Sequence, residues 1–318
     1  VVMQAGRIVE SGAVAEVMSA PSHPYTRKLL DSVPGRHGFA APEAVESRDE
    51  APLLRVSNVS KVYFGQPRLF SKAPQEQLRA VDDASFTLRR GETLGIVGES
   101  GSGKSTLARM LLGLDAPTEG TIEFEGRNLT GATAAETFKI RRRMQFVFQD
   151  PTASLNPRMT IQQIVAEPWA IHQGVLPREQ WRARVAELLE MVGLKAEHAD
   201  RHPHQFSGGQ RQRIAIARSL ALNPDLIVCD EAVSALDVSI QAQVIDLLKE
   251  LRRELGLSYV FIAHDLALVR DFATSVIVMY RGKIVEQGPT AEVYGAPRHD
   301  YTRRLLAASG AETGSKAA

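Results

Sequence analysis

The residues with the clearest chemistry are Gly98-Glu99-Ser100-Gly101-Ser102-Gly103-Lys104-Ser105, followed by Thr106 at the start of a helical stretch. At this spacing backbone N–H groups can turn inward around an anion, and the dipole of the following helix favours negative charge at the same point. Lys104 is then placed to reach the β- and γ-phosphates, with the Ser105 hydroxyl where Mg²⁺ sits between them. The loop implies a nucleoside triphosphate with its metal. A second group, Leu226-Ile227-Val228-Cys229-Asp230-Glu231, closes an apolar strand with two acids. Asp230 would hold Mg²⁺, directly or through water, and Glu231 would orient or deprotonate the water that attacks the γ-phosphate. A third, Ser207-Gly208-Gly209-Gln210, opens a helix and makes a second anion-binding end.

These groups need a scaffold that brings strand ends together. Apolar runs at 93–97, 226–229, 259–263 and 276–280 alternate with helical stretches such as 240–255, closed by Gly256. That alternation predicts βαβ units, a largely parallel sheet and ligands at the strands' C-terminal ends. Shorter strands are expected at 54–56, 60–64 and 84–88. Trp181, Val185, Leu188, Leu189 and Val192 recur at helical spacing before Gly193, which predicts a helix over 178–192 with a core-facing stripe. The fold expected is α/β with a helical insertion.

The chain has 318 residues, is 44% hydrophobic and carries a formal charge of +1. It can bury a large core, and it has no basic field to attract nucleic acid. No apolar run approaches the roughly 18 residues of a membrane span. The lone Cys229 lies inside an apolar run and reads as a buried side chain, which fits a reducing cytosol. His198, His202 and His204 lack metal-site spacing and read as a solvated loop.

Residues 1–30 match residues 277–306 at a constant offset of 276, with Gly6/Gly282, Glu10/Glu286, Pro21/Pro297 and Tyr25/Tyr301 identical. The duplication predicts that 1–34 are the tail of a preceding related domain. Residues 35–52 read as a linker, 53–306 as the main domain and 307–318 as a disordered tail.

Taken together, the motifs resemble the nucleotide-binding domain of ABC transporters. The resemblance makes 98–105 the Walker A loop, 226–231 Walker B and Ser207 to Gln210 the signature, with Phe206 where Leu is commoner. It implies a P-loop NTPase (RecA-like) core, an antiparallel β subdomain and a helical subdomain at about 151–222. By the same resemblance Gln149 is the Q-loop glutamine and a Mg²⁺ ligand, 234–237 is the D-loop ending in Asp237, His264 is the switch histidine and Tyr63 stacks on adenine. Ala232 departs from the family's usual proline. The segment 296–306, and 150–160 after Gln149, resemble peptide/nickel-type importer ATPases. ATP and Mg²⁺ are the implied cofactors. The implied partners are a second ABC ATPase domain in a head-to-tail pair, two permease subunits and, indirectly, a solute-binding protein. The implied location is the cytoplasmic face of the inner membrane. The solute stays open among dipeptides, oligopeptides, glutathione-like peptides, nickel and antibiotic peptides. A soluble ABC ATPase acting on nucleic acid or ribosomes is the alternative.

Overall fold

In the computed structural model, which describes residues 1–4, 6–31, 51–64 and 77–309, the apolar runs form the centre of a six-stranded sheet. Its order is Lys283–Pro289, Ser275–Tyr280, Thr93–Val97, Ser258–Ile262, Leu226–Asp230 and Met144–Val147. Every pairing is parallel except the edge pair of Lys283–Pro289 with Ser275–Tyr280.

Strands covered on both faces read as continuous apolar runs, because every side chain is buried. Here the two faces feed separate cores. Ile227, Cys229, Tyr259, Phe261, Val276 and Val278 pack towards the inserted helices. Leu226, Val228, Val260, Ile262, Ile277 and Met279 pack with the helix Lys104–Leu111 and an antiparallel sheet. That sheet runs Gln77–Leu88, Leu54–Phe64, Glu119–Phe124 and Arg127–Asn128. Cys229 is 1% exposed, and burial pushes its thiol up to about 12, so it is an inert core group.

The helical insertion holds Pro151–Ser154, Ile161–Ile171, Trp181–Met191 and Gly208–Leu220. Thr160 caps Ile161–Ile171 through a reciprocal pair with Gln163, and Ser207 caps Gly208–Leu220 in the same way with Gln210. Of the expected stripe, Val185, Leu188, Leu189 and Val192 are buried, and Trp181 is half-buried against the same core.

Several boundaries differ from the sequence reading. The strands expected at 54–56 and 60–64 are one strand, Leu54–Phe64, whose register shifts where Asn58 takes a left-handed φ of 49°. The strand expected from 84 begins at Gln77, because pairing with Leu54–Phe64 carries a polar start that composition does not favour. The helix expected over 178–192 opens as a 3₁₀ turn, Arg178–Gln180, before Trp181–Met191. The last helix, Asp300–Ala308, runs just past the expected domain end at 306, and the rest of the expected tail from 310 lies outside the described residues. So do residues 32–50, the end of the expected 1–34 tail and most of the expected linker at 35–52.

The duplication extends to hydrogen bonds. The Glu10 carboxylate accepts from the backbone of Ser22 at 2.7 Å and His23 at 3.2 Å. Glu286 accepts from Arg298 at 2.7 Å and His299 at 3.0 Å, each partner displaced by the same 276 residues. His23 Nδ1 accepts from Tyr25 N and His299 Nδ1 from Tyr301 N, both at 3.1 Å. Among the described residues no helix is long and apolar enough to cross a membrane.

Candidate nucleotide site

The loop after Thr93–Val97 takes its shape from Gly98 and Gly103, where a Cβ would overlap backbone oxygens. Gly103 has φ 103°, and a Cβ there would overlap the Ala80 carbonyl oxygen. Lys104 is 5% exposed and curls back over the loop, its Nζ donating to the carbonyl oxygens of Gly98 at 2.8 Å and Glu99 at 2.9 Å. Burial lowers its pKa, while the nearby charges of Glu231 and Asp230 raise it. The loop therefore stores a cation with little water around it.

Beside the loop lies a cavity of about 500 Å³ lined by Ser100, Gly101, Gly103, Lys104, Ser105, Thr106, Tyr63, Arg79, Arg281 and Glu231, among others. Gly98, Glu99 and Ser102 are not on its wall. Gly98 and Glu99 hold Lys104 by their carbonyls, and Ser102 is buried beneath the loop. Tyr63 is 39% exposed on this wall, its hydroxyl 3.3 Å from the Asp115 carboxylate and the Lys61 ammonium 5.2 Å from its ring.

The neighbouring strand ends bring the acids in. Ser105 Oγ donates to Asp230 Oδ1 at 3.3 Å, joining residues 125 positions apart. Burial raises the Asp230 pKa and the Glu231 charge raises it further, against lowering by the Ser105 hydrogen bond and Lys104. Glu231 has a left-handed φ of 47°, while its N–H still donates to the Ile262 carbonyl at 2.9 Å. A non-glycine residue held there costs about 1–3 kcal/mol. The turn aims its carboxylate at Gln149, whose Nε2 donates to Oε2 at 2.7 Å, and at His264, whose Nδ1 is 3.8 Å from the same oxygen.

The donor set fits Mg²⁺. A hydroxyl (Ser105), a carboxylate (Asp230) and an amide oxygen (Gln149) are hard oxygen ligands, and the half-buried Asp230 keeps a raised pKa even with Lys104 and Ser105 acting against it, so a further cation would be favoured there.

The structure does not bring the signature to this cavity. Ser207, Gly208, Gly209 and Gln210 are not among its lining residues, and Ser207 and Gly208 are exposed. Gly209 is buried against Ile240 in the helix that Asp237 caps, the Asp237 carboxylate accepting from Ile240 N at 3.1 Å. Arg79 and Arg281, which line the cavity, were not singled out from sequence, because each sits at a strand end in an ordinary polar context.

Residues 81–234 match the family described as ABC transporter, and residues 9–63 and 285–316 match "Oligopeptide/dipeptide transporter, C-terminal region". The chain is 47% identical to the glutathione import ATP-binding protein GsiA of Escherichia coli K12, and to that of Shigella flexneri, over 96% of its own length and 52% of theirs. It thus spans about half the length of these curated relatives. Among solved structures it is similar to the dimeric, post-hydrolysis ATP-binding cassette MJ0796 bound to ADP and Pi, at 34% identity and TM-score 0.65, covering 74% of this chain and 98% of that one. It is also similar to cbiO1 from Clostridium perfringens, part of the ABC transporter complex cbiONQ, at 27% identity and TM-score 0.65, covering 81% and 95%. With its phosphate loop, strand-end acids and signature helix on this fold, the chain belongs to the ABC transporter family as one of its ATP-binding cassettes.

Proposed function

We propose that the chain binds and hydrolyses ATP to drive import of a peptide-class solute through a membrane permease. The observation that carries this is the convergence of Lys104, Ser105, Asp230, Glu231 and Gln149 at neighbouring strand ends beside one cavity. The match to the oligopeptide/dipeptide transporter region and the likeness to glutathione import proteins support a small peptide as the solute.

In this reading loop amides and Lys104 hold the β- and γ-phosphates, and Tyr63 stacks on the adenine. Ser105, Asp230 and Gln149 would hold Mg²⁺, which when bound neutralises charge between the two phosphates. Glu231 takes the proton of the attacking water, its carboxylate fixed by Gln149, and His264 contacts the γ-phosphate. Ser207 to Gln210, with Asp237, serve the ATP held by a second cassette. The paired cassettes lie on the cytoplasmic face of the inner membrane, bound to two permease subunits and served indirectly by a solute-binding protein.

Residues 1–34 belong, in this account, to the tail of a preceding cassette. The first copy exposes Val1 (79%) and Met3 (57%), whereas their counterparts Ile277 (1%) and Met279 (0%) are buried in the sheet.

Two variants test the site together. Lys104→Ala should abolish ATP binding, since the loop's fixed cation is lost. Glu231→Gln should keep binding and lower hydrolysis by about 10² to 10⁴, the range for a positioned general base. Titration and phosphate release measure the two, and hydrolysis by Glu231→Gln within a few-fold of the parent would reassign the base.

A further inference from the structure

We propose that Tyr301 is a positioning residue for the phosphate loop, through which the C-terminal helix Asp300–Ala308 sets nucleotide affinity. The inference rests on the cavity beside Lys104 being the nucleotide site.

Tyr301 lies 202 residues from the loop in sequence, yet its hydroxyl accepts a hydrogen bond from the Glu99 backbone N–H at 3.0 Å. The opposite end of Glu99 is also tied, its carbonyl accepting from Lys104 Nζ at 2.9 Å and from Ser102 N at 3.2 Å. Glu99 is therefore a backbone bridge between the tyrosine and the loop's lysine. Loosening its N–H end frees the carbonyl that orients the ammonium.

The tyrosine is itself held firmly. It is 3% exposed, and its ring stacks on Tyr280 with centroids 4.2 Å apart and planes at 30°. Tyr280 ends the strand Ser275–Tyr280, which pairs in parallel with Thr93–Val97, the strand that delivers the loop. The Arg281 guanidinium lies 5.1 Å from the Tyr280 ring and lines the cavity, and Gly282 N donates to Ser102 O at 3.0 Å. Glu286, by accepting from Arg298 N and His299 N, fixes where the helix begins, and His299 Nδ1 caps it by accepting from Tyr301 N. The segment thus aims one hydroxyl at one loop amide. A contact that shifts this helix would shift the loop with it, so the C-terminal region is a lever on ATP affinity.

Tyr301→Phe in the whole chain tests the proposal, because it keeps the ring stack and removes only the acceptor. Isothermal titration with ATP and Mg²⁺ should give a Kd raised about threefold to tenfold, the weight of one net hydrogen bond. The amide hydrogen of residue 99 should exchange faster, while the rate at saturating ATP stays at the parent's value. A purely packing role would lower the melting temperature and leave Kd and that exchange rate unchanged, and this result would overturn the proposal. If Tyr301→Phe does not fold, Glu99→Pro removes the donor from the other side, and an unchanged Kd there overturns it equally. A parent chain that fails to bind Mg²⁺–ATP would instead sink the nucleotide-site reading, and this proposal with it.

Discussion

Asp230 carries a charge that the nucleotide-free fold disfavours. An aspartate ordinarily titrates near 3.8, and burial of this one raises that value. The folded chain therefore holds the proton more tightly than the unfolded chain does. The group's contribution to stability is full below 3.8 and is lost as pH rises through the raised value. At neutral pH the ionised carboxylate is a cost that a bound cation relieves. Asp230→Asn should accordingly raise the melting temperature without nucleotide, by on the order of 2 °C, and abolish the extra stabilisation that Mg²⁺ adds to ATP. Differential scanning calorimetry with ATP, with and without Mg²⁺, reads both. A nucleotide-free melting temperature that falls would mean Asp230 is held by partners strong enough to make its charge favourable. The placement of Asp230 at a strand end beside the phosphate loop was legible in the sequence, because an apolar run closed by two acids brings them to the end of a buried strand. The turn that separates it from Glu231 was not, since a positive φ at a glutamate has no signature in residue type.

At the scale of elements, the sheet is pinned at the end away from the cavity by a charge cluster. Arg90 and Arg143 reach Asp225 at 2.9 and 2.6 Å, and both arginines also bind Glu125. These four residues come from turns next to Thr93–Val97, Met144–Val147, Leu226–Asp230 and Glu119–Phe124, so the cluster ties the parallel sheet to the antiparallel one. Burial raises the Asp225 pKa, but the hydrogen bonds of Arg143 and Arg90 bring it below 3.8. The folded chain then binds that proton more weakly than the unfolded chain. The stabilisation is present above 3.8 and disappears as pH falls through the lowered value. Asp225→Ala should cost about 1–2 kcal/mol at neutral pH, between the values for exposed and buried pairs, and leave ATP affinity unchanged. Denaturant melts at neutral and acid pH test this, and a cost that persists undiminished below the titration would point to packing instead. Apolar strands and the Trp181–Met191 stripe could be read from periodicity, because each is set by its own residues. The cluster could not, nor could the division of the strands between two cores, because both depend on which strands become neighbours.

The whole molecule presents a loop and a signature that face different surroundings. Both are helix N-termini suited to anions, but the cavity walls include only the loop. An ATP seated on Lys104 would lack the donors of the signature, which are not on the cavity wall, and losing one preorganised donor to developing charge typically costs about 10² to 10³ in rate. Both helix starts and the duplicated tail could be read in the sequence. That the signature does not line the loop's cavity had to come from the fold. We infer that a working site needs two cassettes, and specific ATPase activity across a dilution series, with sedimentation recording the oligomeric state at each point, tests this. ATP should bind throughout, with a rate per chain that rises with protein concentration and nearly vanishes where only monomer is present. Full specific activity from the monomer would contradict it.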